Sequence, residues 1–215
     1  MSTRLIVIGA GGFARETLDV LDALERRTPG DFEVLGVLDD RPSAASRQIL
    51  ARRGVHVIGT TGDLLEGKVG EVDAYVIAIG DPAARLDIAA RVGDDIQPAP
   101  ALVHPLASIG TDTVLEPGVI VCAGAVVSAN VTLGRHTHVN PNATIGHDAV
   151  LGWAVSVNPA AVVSGSVVVG DGVLLGAASV VLQGLTVGAR AVVGAAACVT
   201  RDVLPGRTVV GVPAR

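Results

Sequence analysis

From Ile109 onward an aliphatic residue recurs at every sixth position: Ile109, Leu115, Val121, Val127, Leu133, Val139, Ile145, Leu151, Val157, Val163, Val169, Leu175, Val181, Val187, Val193 and Val199. Two positions before many of them stands alanine, as at Ala107, Ala125, Ala143, Ala161 and Ala197. Glycine often follows directly, at Gly110, Gly134, Gly146, Gly152, Gly170, Gly176, Gly188 and Gly194. One long helix would repeat its apolar positions every 3.6 residues and one strand every 2, so neither explains a period of six. A flat face of a triangular coil does, with three faces to a turn. Each aliphatic side chain then points inward and stacks about 4.8 Å from its counterpart in the next coil. The small residue lets the prism close, and the glycine is expected to give the chain its freedom at the corner. Such units bury a core only by stacking on neighbours.

The first hundred residues follow another pattern. Arg4–Ile8 reads as a buried strand, followed by Gly9-Ala10-Gly11-Gly12-Phe13-Ala14-Arg15 and a helix to about Arg27. Glu33–Leu38 reads as a second strand ending at Asp39-Asp40, with further strands at Val55–Ile58 and Ala74–Ile79. Helices are predicted near Asp63–Leu65 and Pro82–Val92. This alternation predicts a small parallel sheet of Rossmann-like βαβ type. The predicted division is residues 1–100 and 101–215, with Gln97-Pro98-Ala99-Pro100 as the junction.

Composition narrows the function classes. The net charge is −5, and the repeat segment holds five residues of each sign, so the excess acid lies in the first hundred residues. Neither part has the basic surface of a nucleic-acid binder, and no apolar run approaches membrane-span length. The N-terminus lacks the positive and apolar regions of a signal peptide. Cys122 and Cys198 make no disulfide framework. The expectation is a reduced, cytoplasmic protein. The few aromatic residues, Phe13, Phe32, Tyr75 and Trp153, suit a narrow coil interior.

Gly9-x-Gly11-x-x-Ala14 lies between a strand and a helix, the context in which such a loop can cradle a phosphate. Asp39 or Asp40, at the tip of the second strand, can hold a ribose hydroxyl. The residues alone leave open a dinucleotide such as NAD, a mononucleotide, or a tight turn without ligand. The small size of the domain fits a mononucleotide better than a dinucleotide.

The whole chain resembles one family of bacterial hexapeptide-repeat acetyltransferases, the sialic acid O-acetyltransferase and UDP-bacillosamine N-acetyltransferase group. The resemblance is carried by the six-residue period, by GAGGxxR and the "LDD" strand end, and by the closing Val210-Gly211-Val212-Pro213-Ala214-Arg215. It implies an N-terminal α/β domain followed by a left-handed parallel β-helix. It implies a nucleotide-linked amino sugar bound at Gly11, Gly12, Phe13, Asp39, Asp40 and Gly80, with Phe13 standing where many members have histidine. It implies acetyl-CoA as cosubstrate, contacting Ser156, Ala177 and Ala195 in a groove between subunits of a homotrimer. Ser156 and Ala195 depart from the residues usual there.

Acetyl transfer from a thioester needs a base near neutrality, and histidine is the natural one. Of the five histidines, His147 matches the family's proton acceptor, and Asp148 the acidic neighbour that raises its basicity. Asn140 matches an asparagine that lines the acceptor site, although an internal asparagine ladder with Asn158 explains it equally. His136 and His138 read as surface residues, His104 as part of the junction, and His56 as a solvated strand residue. No zinc-type ligand spacing is present, so no metal is expected. The favoured function is N-acetylation of a nucleotide-linked amino sugar by direct transfer. O-acetylation of a sialic-acid-like sugar and a non-catalytic nucleotide-sugar-binding scaffold remain the alternatives.

Overall fold

The computed structural model describes residues 2–93 and 95–215. Contacts divide the chain into two compact units. One comprises the residues up to Gly80 together with Asp87–Ala99, the other Asp81–Leu86 together with Pro100–Arg215.

β1 (Thr3–Ile8), α1 (Gly12–Arg27), β2 (Phe32–Leu38), α2 (Ala44–Ala51), β3 (Val57–Gly59), α3 (Thr61–Leu65), β4 (Ala74–Ile77), α4 (Pro82–Val92) and β5 (Gln97–Pro98) follow in order, all in the first unit except the start of α4 up to Leu86. The strands form one parallel sheet ordered β3-β2-β1-β4-β5. Leu5, Ile6, Val7 and Ile8 are all buried, as a central parallel strand covered on both faces requires. Helix α1 turns Ala14, Thr17, Leu18, Val20, Leu21 and Ala23 inward, a helical spacing. Two elements escape the pattern. Helix α2 buries only Leu50, so its apolar signal is weak; Ser43 starts it by accepting from the Ser46 amide. Gln97-Pro98 is not a bare junction but the sheet's edge strand, where the missing proline N–H costs no ladder bond.

In the second unit the chain winds as a left-handed β-helix. Two-residue strands repeat every six residues and stack in parallel into three sheets of six, five and seven strands among the described residues. Each partner lies eighteen residues on, as in Val127↔Ile145 and Ile145↔Val163. From Val121 to Val199 the inward aliphatic residues are almost wholly buried and form one continuous core. Leu102-Val103 adds a strand before Ile109. Ile109 itself stays 37% exposed, since its strand pairs on one side only. After Val199 the period breaks: Val187 pairs with Val203, sixteen residues on, and Val193 with Val209.

The corners correct one expectation. The glycines directly after the aliphatic residues do not carry the left-handed backbone. Positive φ falls two residues later, at Asp112, Asn130, His136, Asn142, Asp148, Ala154 and their equivalents. The glycines serve close approach instead. A Cβ on Gly146 would lie 2.5 Å from the Gly165 amide nitrogen, and one on Gly170 would lie 2.5 Å from that of Ala189. Backbones of successive coils touch there, and only hydrogen fits.

Candidate functional site

In the first unit, a cleft of about 200 Å³ opens at the strand ends, lined by Gly9, Leu38, Asp39, Asp40, Thr61 and Ile79 among others. Gly9 is strictly needed: its φ is +111°, and a Cβ would meet Ile79 Cγ1 at 2.6 Å and the Ala78 carbonyl oxygen at 2.8 Å. Gly11, by contrast, faces open space, and a Cβ on Gly12 would meet nothing nearer than Arg15 at 3.8 Å. Gly11, Gly12 and Gly80 are exposed and Phe13 is half-buried. Helix α1 starts here with Gly11 as a cap that offers no side-chain acceptor to the first amides. Those amides and the helix dipole favour an anion.

The two aspartates shape this cleft. Asp39 Oδ2 accepts from the Ala10 amide at 2.7 Å and Oδ1 from the Arg41 amide at 2.8 Å. Asp40 Oδ1 accepts from the Thr61 amide at 2.8 Å, and its other oxygen faces the Arg91 guanidinium at 3.8 Å. Asp39 therefore locks the glycine loop to the tip of β2, a bond across 29 positions of sequence.

In the second unit, His147 and Asp148 stand at an exposed corner of the coil. Left-handed backbone at Asp148 (φ 60°) turns its side chain back toward its neighbour, and His147 Nδ1 lies 2.6 Å from Asp148 Oδ2. The carboxylate can only accept, so Nδ1 carries the hydrogen, and in the neutral ring Nε2 then keeps its lone pair. Asn130 Nδ2 donates to Asp148 Oδ1 at 3.0 Å from one coil below. These two bonds, that to His147 first, hold the Asp148 carboxyl below the usual carboxylate range. The His147 side chain is 68% exposed.

Asn140 is placed elsewhere. It lies at the preceding corner, separated from His147 by the strand Thr144–Ile145, and its Nδ2 donates to the Val157 carbonyl at 3.0 Å. It is buried, one coil below Asn158. Ala177 and Ala195 lie on that same ridge, both exposed and stacked through the Ala196 amide on the Ala177 carbonyl at 2.8 Å. Ser156 is not on the ridge. It is 1% exposed, and its Oγ accepts from Arg85 Nη2 at 3.0 Å. Its side chain is engaged inside the unit rather than turned to a groove.

Sequence reading passed over Arg85. It is fully buried, donating from Nε to the His136 carbonyl at 3.0 Å and from Nη2 to the Ala154 carbonyl at 2.8 Å. Burial lowers its pKa to about 9. Arg85 lies on the face that carries His138 and Ser156, so His136 and His138 are buried rather than at the surface. Burial, then the nearby Arg85 and Arg135, lowers the His136 pKa to about 4. No sequence signal marks an arginine on a short helix as a core residue. Among the described residues no group of three or more His, Cys, Asp or Glu is arranged to hold a metal, and no helix is long and apolar enough to cross a membrane.

Residues 4–92 match the PglD N-terminal domain family. No curated protein sequence matches the chain. Among solved structures, the acetyltransferase domain of PglB from Neisseria gonorrhoeae, in complex with acetyl coenzyme A, is 33% identical, with a TM-score of 0.84 over 100% of this chain and 99% of that one. A mutant perosamine N-acetyltransferase from Caulobacter crescentus, in complex with CoA and GDP-perosamine, is 29% identical, with a TM-score of 0.86 over 98% of this chain and 95% of that one. WeeI from Acinetobacter baumannii, 24% identical with a TM-score of 0.77, shares the fold across 100% of this chain and 99% of that one. With both units matched end to end at this identity, the chain belongs to the hexapeptide-repeat nucleotide-sugar N-acetyltransferase family and is an acyltransferase.

Proposed function

We propose that this protein transfers the acetyl group of acetyl-CoA directly to an amino group on a nucleotide-linked sugar, with His147 as general base. The observation that carries the reading is the exposed His147 ring, tied to Asp148 through Nδ1 and open at Nε2. The relatives with bound acetyl coenzyme A, or with CoA and GDP-perosamine, supply the donor and acceptor class. In this reading the sugar amine attacks the thioester carbonyl carbon while its proton passes to His147 Nε2. The tetrahedral intermediate collapses, the C–S bond breaks, and CoA leaves as a thiolate that takes up the proton. Asp148 stabilises the imidazolium formed on the way.

The nucleotide belongs in the cleft of the first unit, its phosphates at the start of helix α1 beside Gly11, Gly12 and Phe13 and its ribose near Asp39 and Asp40. Gly80, exposed after β4, completes this set. Asn140 and the Ala177–Ala195 ridge stand one corner away from His147, which favours a site shared between copies of a homotrimer. One copy then brings the base and a neighbour brings the ridge along which acetyl-CoA lies. Ser156, engaged by Arg85, leaves that set except through its backbone. Cys122 and Cys198, not joined in a disulfide, accord with the cytoplasm, a reducing compartment.

The test is CoA release from acetyl-CoA in the presence of UDP-, GDP- or dTDP-linked amino sugars, with the product read by mass. We expect one acceptor class to be N-acetylated and His147→Ala to lose about 10²–10⁴-fold in kcat. Unchanged turnover in His147→Ala defeats the base. Transfer to a sugar hydroxyl instead identifies an O-acetyltransferase.

A further inference from the structure

His147 is an exposed residue on a corner, with a side chain free in principle to take several rotamers. Two features of the neighbouring coils favour the one observed, one by holding the ring's partner and one by leaving the ring room. From the coil before, Asn130 Nδ2 donates to Asp148 Oδ1 at 3.0 Å, leaving Oδ2 for His147 Nδ1 at 2.6 Å. On the coil after, Gly165 lies against the imidazole. A Cβ added there would fall 2.7 Å from both Cε1 and Nε2 of His147, closer than real Cβ contacts come.

Gly165 does not have the left-handed backbone that favours glycine, unlike Gly172 or Gly184. No conformational demand therefore explains it, and the space taken by the His147 ring does. The amide of Ser166 donates to the His147 carbonyl at 2.8 Å, fixing the backbone of the two coils at this corner. Asn130 does have the left-handed conformation (φ 60°), as an asparagine readily does. Four alanines hold that same conformation at equivalent corners, Ala154, Ala160, Ala178 and Ala196. The turn alone therefore does not require the asparagine side chain, whereas Asp148 uses it.

We propose that Asn130 and Gly165 are positioning residues for the His147 base. Asn130 holds Asp148 in the rotamer that accepts from Nδ1. Gly165 provides the space in which the ring lies with Nε2 open to substrate. The inference rests on the reading of His147 as base, and neither residue is argued to touch the reacting atoms.

The test uses the full chain and three variants: Gly165→Ala, Asn130→Ala and His147→Ala. Because the atom met by an alanine Cβ at 165 is the end of a flexible side chain, the ring yields rather than the coil. Gly165→Ala is expected to unfold at the same temperature as the wild type while losing about 100-fold in kcat, the scale of an ångström-sized misplacement. Asn130→Ala is expected to lose about tenfold in kcat, as removal of a hydrogen-bonded support does, with KM for acetyl-CoA unchanged. Nitrogen-15 NMR of the imidazole gives a second readout that needs no activity. The wild type is expected as the Nδ1–H tautomer and Asn130→Ala as a mixture of both.

Wild-type kcat in Gly165→Ala and Asn130→Ala, alongside an inactive His147→Ala, overturns the positioning roles and leaves the base standing. An active His147→Ala overturns the base reading instead, and the rate consequences drawn from it. The tautomer still decides the Asn130 role in that case: an unchanged Nδ1–H form in Asn130→Ala overturns it, and a mixture supports it.

Discussion

The two units solve the placing of functional groups in different ways. In the coil, a residue's surroundings follow from its position in the repeat. Asn130, Asp148 and Ser166 stack at one corner because they are eighteen residues apart, as Asp148 and the Ala129 carbonyl bonded to its amide show one position out of step. In the sheet unit no such rule exists. The glycine loop after β1 is held by Asp39, 29 residues away, and flanked by Ile79 from beyond β4. A coil is nearly one-dimensional, so a defect should stay near its site. A single sheet with shared layers should spread it.

The largest effect tests that contrast in the coil. Leu175→Ala removes a fully buried side chain from the middle of the stack and should cost about 2–5 kcal/mol. With Leu175 more than one coil beyond His147, kcat at a temperature where the variant is folded should stay near wild type. Urea unfolding and turnover on the same sample check both, and a parallel loss of kcat breaks the idea of local defects.

Acid is the next lever. His136 is buried with its pKa lowered to about 4 from an ordinary value near 6.5. The unfolded chain thus binds a proton that the folded chain refuses between these values. Stability is full above about pH 6.5 and falls as pH drops toward 4, by up to about 3 kcal/mol from this group. Comparing wild type with His136→Gln by thermal unfolding at pH 7 and pH 5 measures it; a difference between the two that does not change with pH refutes it. The carboxyl of Asp73, held at about 2 by hydrogen bonds from Arg4, titrates below this window and does not confuse it.

The smallest stability effect belongs to the sheet unit and sharpens the contrast. Asp39→Ala leaves the Ala10 and Arg41 amides without their carboxylate partner and should cost about 1–3 kcal/mol. The loop it releases is the one proposed to hold the nucleotide, so KM for the sugar nucleotide should rise while KM for acetyl-CoA stays fixed. Steady-state kinetics in both substrates separate these. Unchanged KM values would mean that the loop keeps its shape without Asp39.

Sequence legibility follows the same divide. The aliphatic period predicted every inward side chain from Val121 to Val199, because each depends only on its register with adjacent coils. It misassigned the corner glycines, since a repeat marks where small residues stand and not whether the cause is φ or crowding. In the sheet unit the βαβ alternation was readable from β1, α1, β2 and β4. Helix α2 was not, for it buries one residue. Nor was β5, whose proline argues against a strand unless the strand is known to lie at an edge. Of the candidate site residues, the His147–Asp148 neighbours were visible as a motif, but two adjacent side chains normally diverge. Their contact depends on the left-handed turn at Asp148.

By itself the sequence determined the period, hence the coil, its core and the columns of residues that stack at each corner; these are local consequences of chain geometry. Only the tertiary structure decided that Ser156 is engaged by a buried Arg85 and that Asp39 braces the glycine loop. Each of these is a contact between distant segments. Its energy lies in desolvation, hydrogen bonding and excluded volume between atoms that no spacing in the chain brings together.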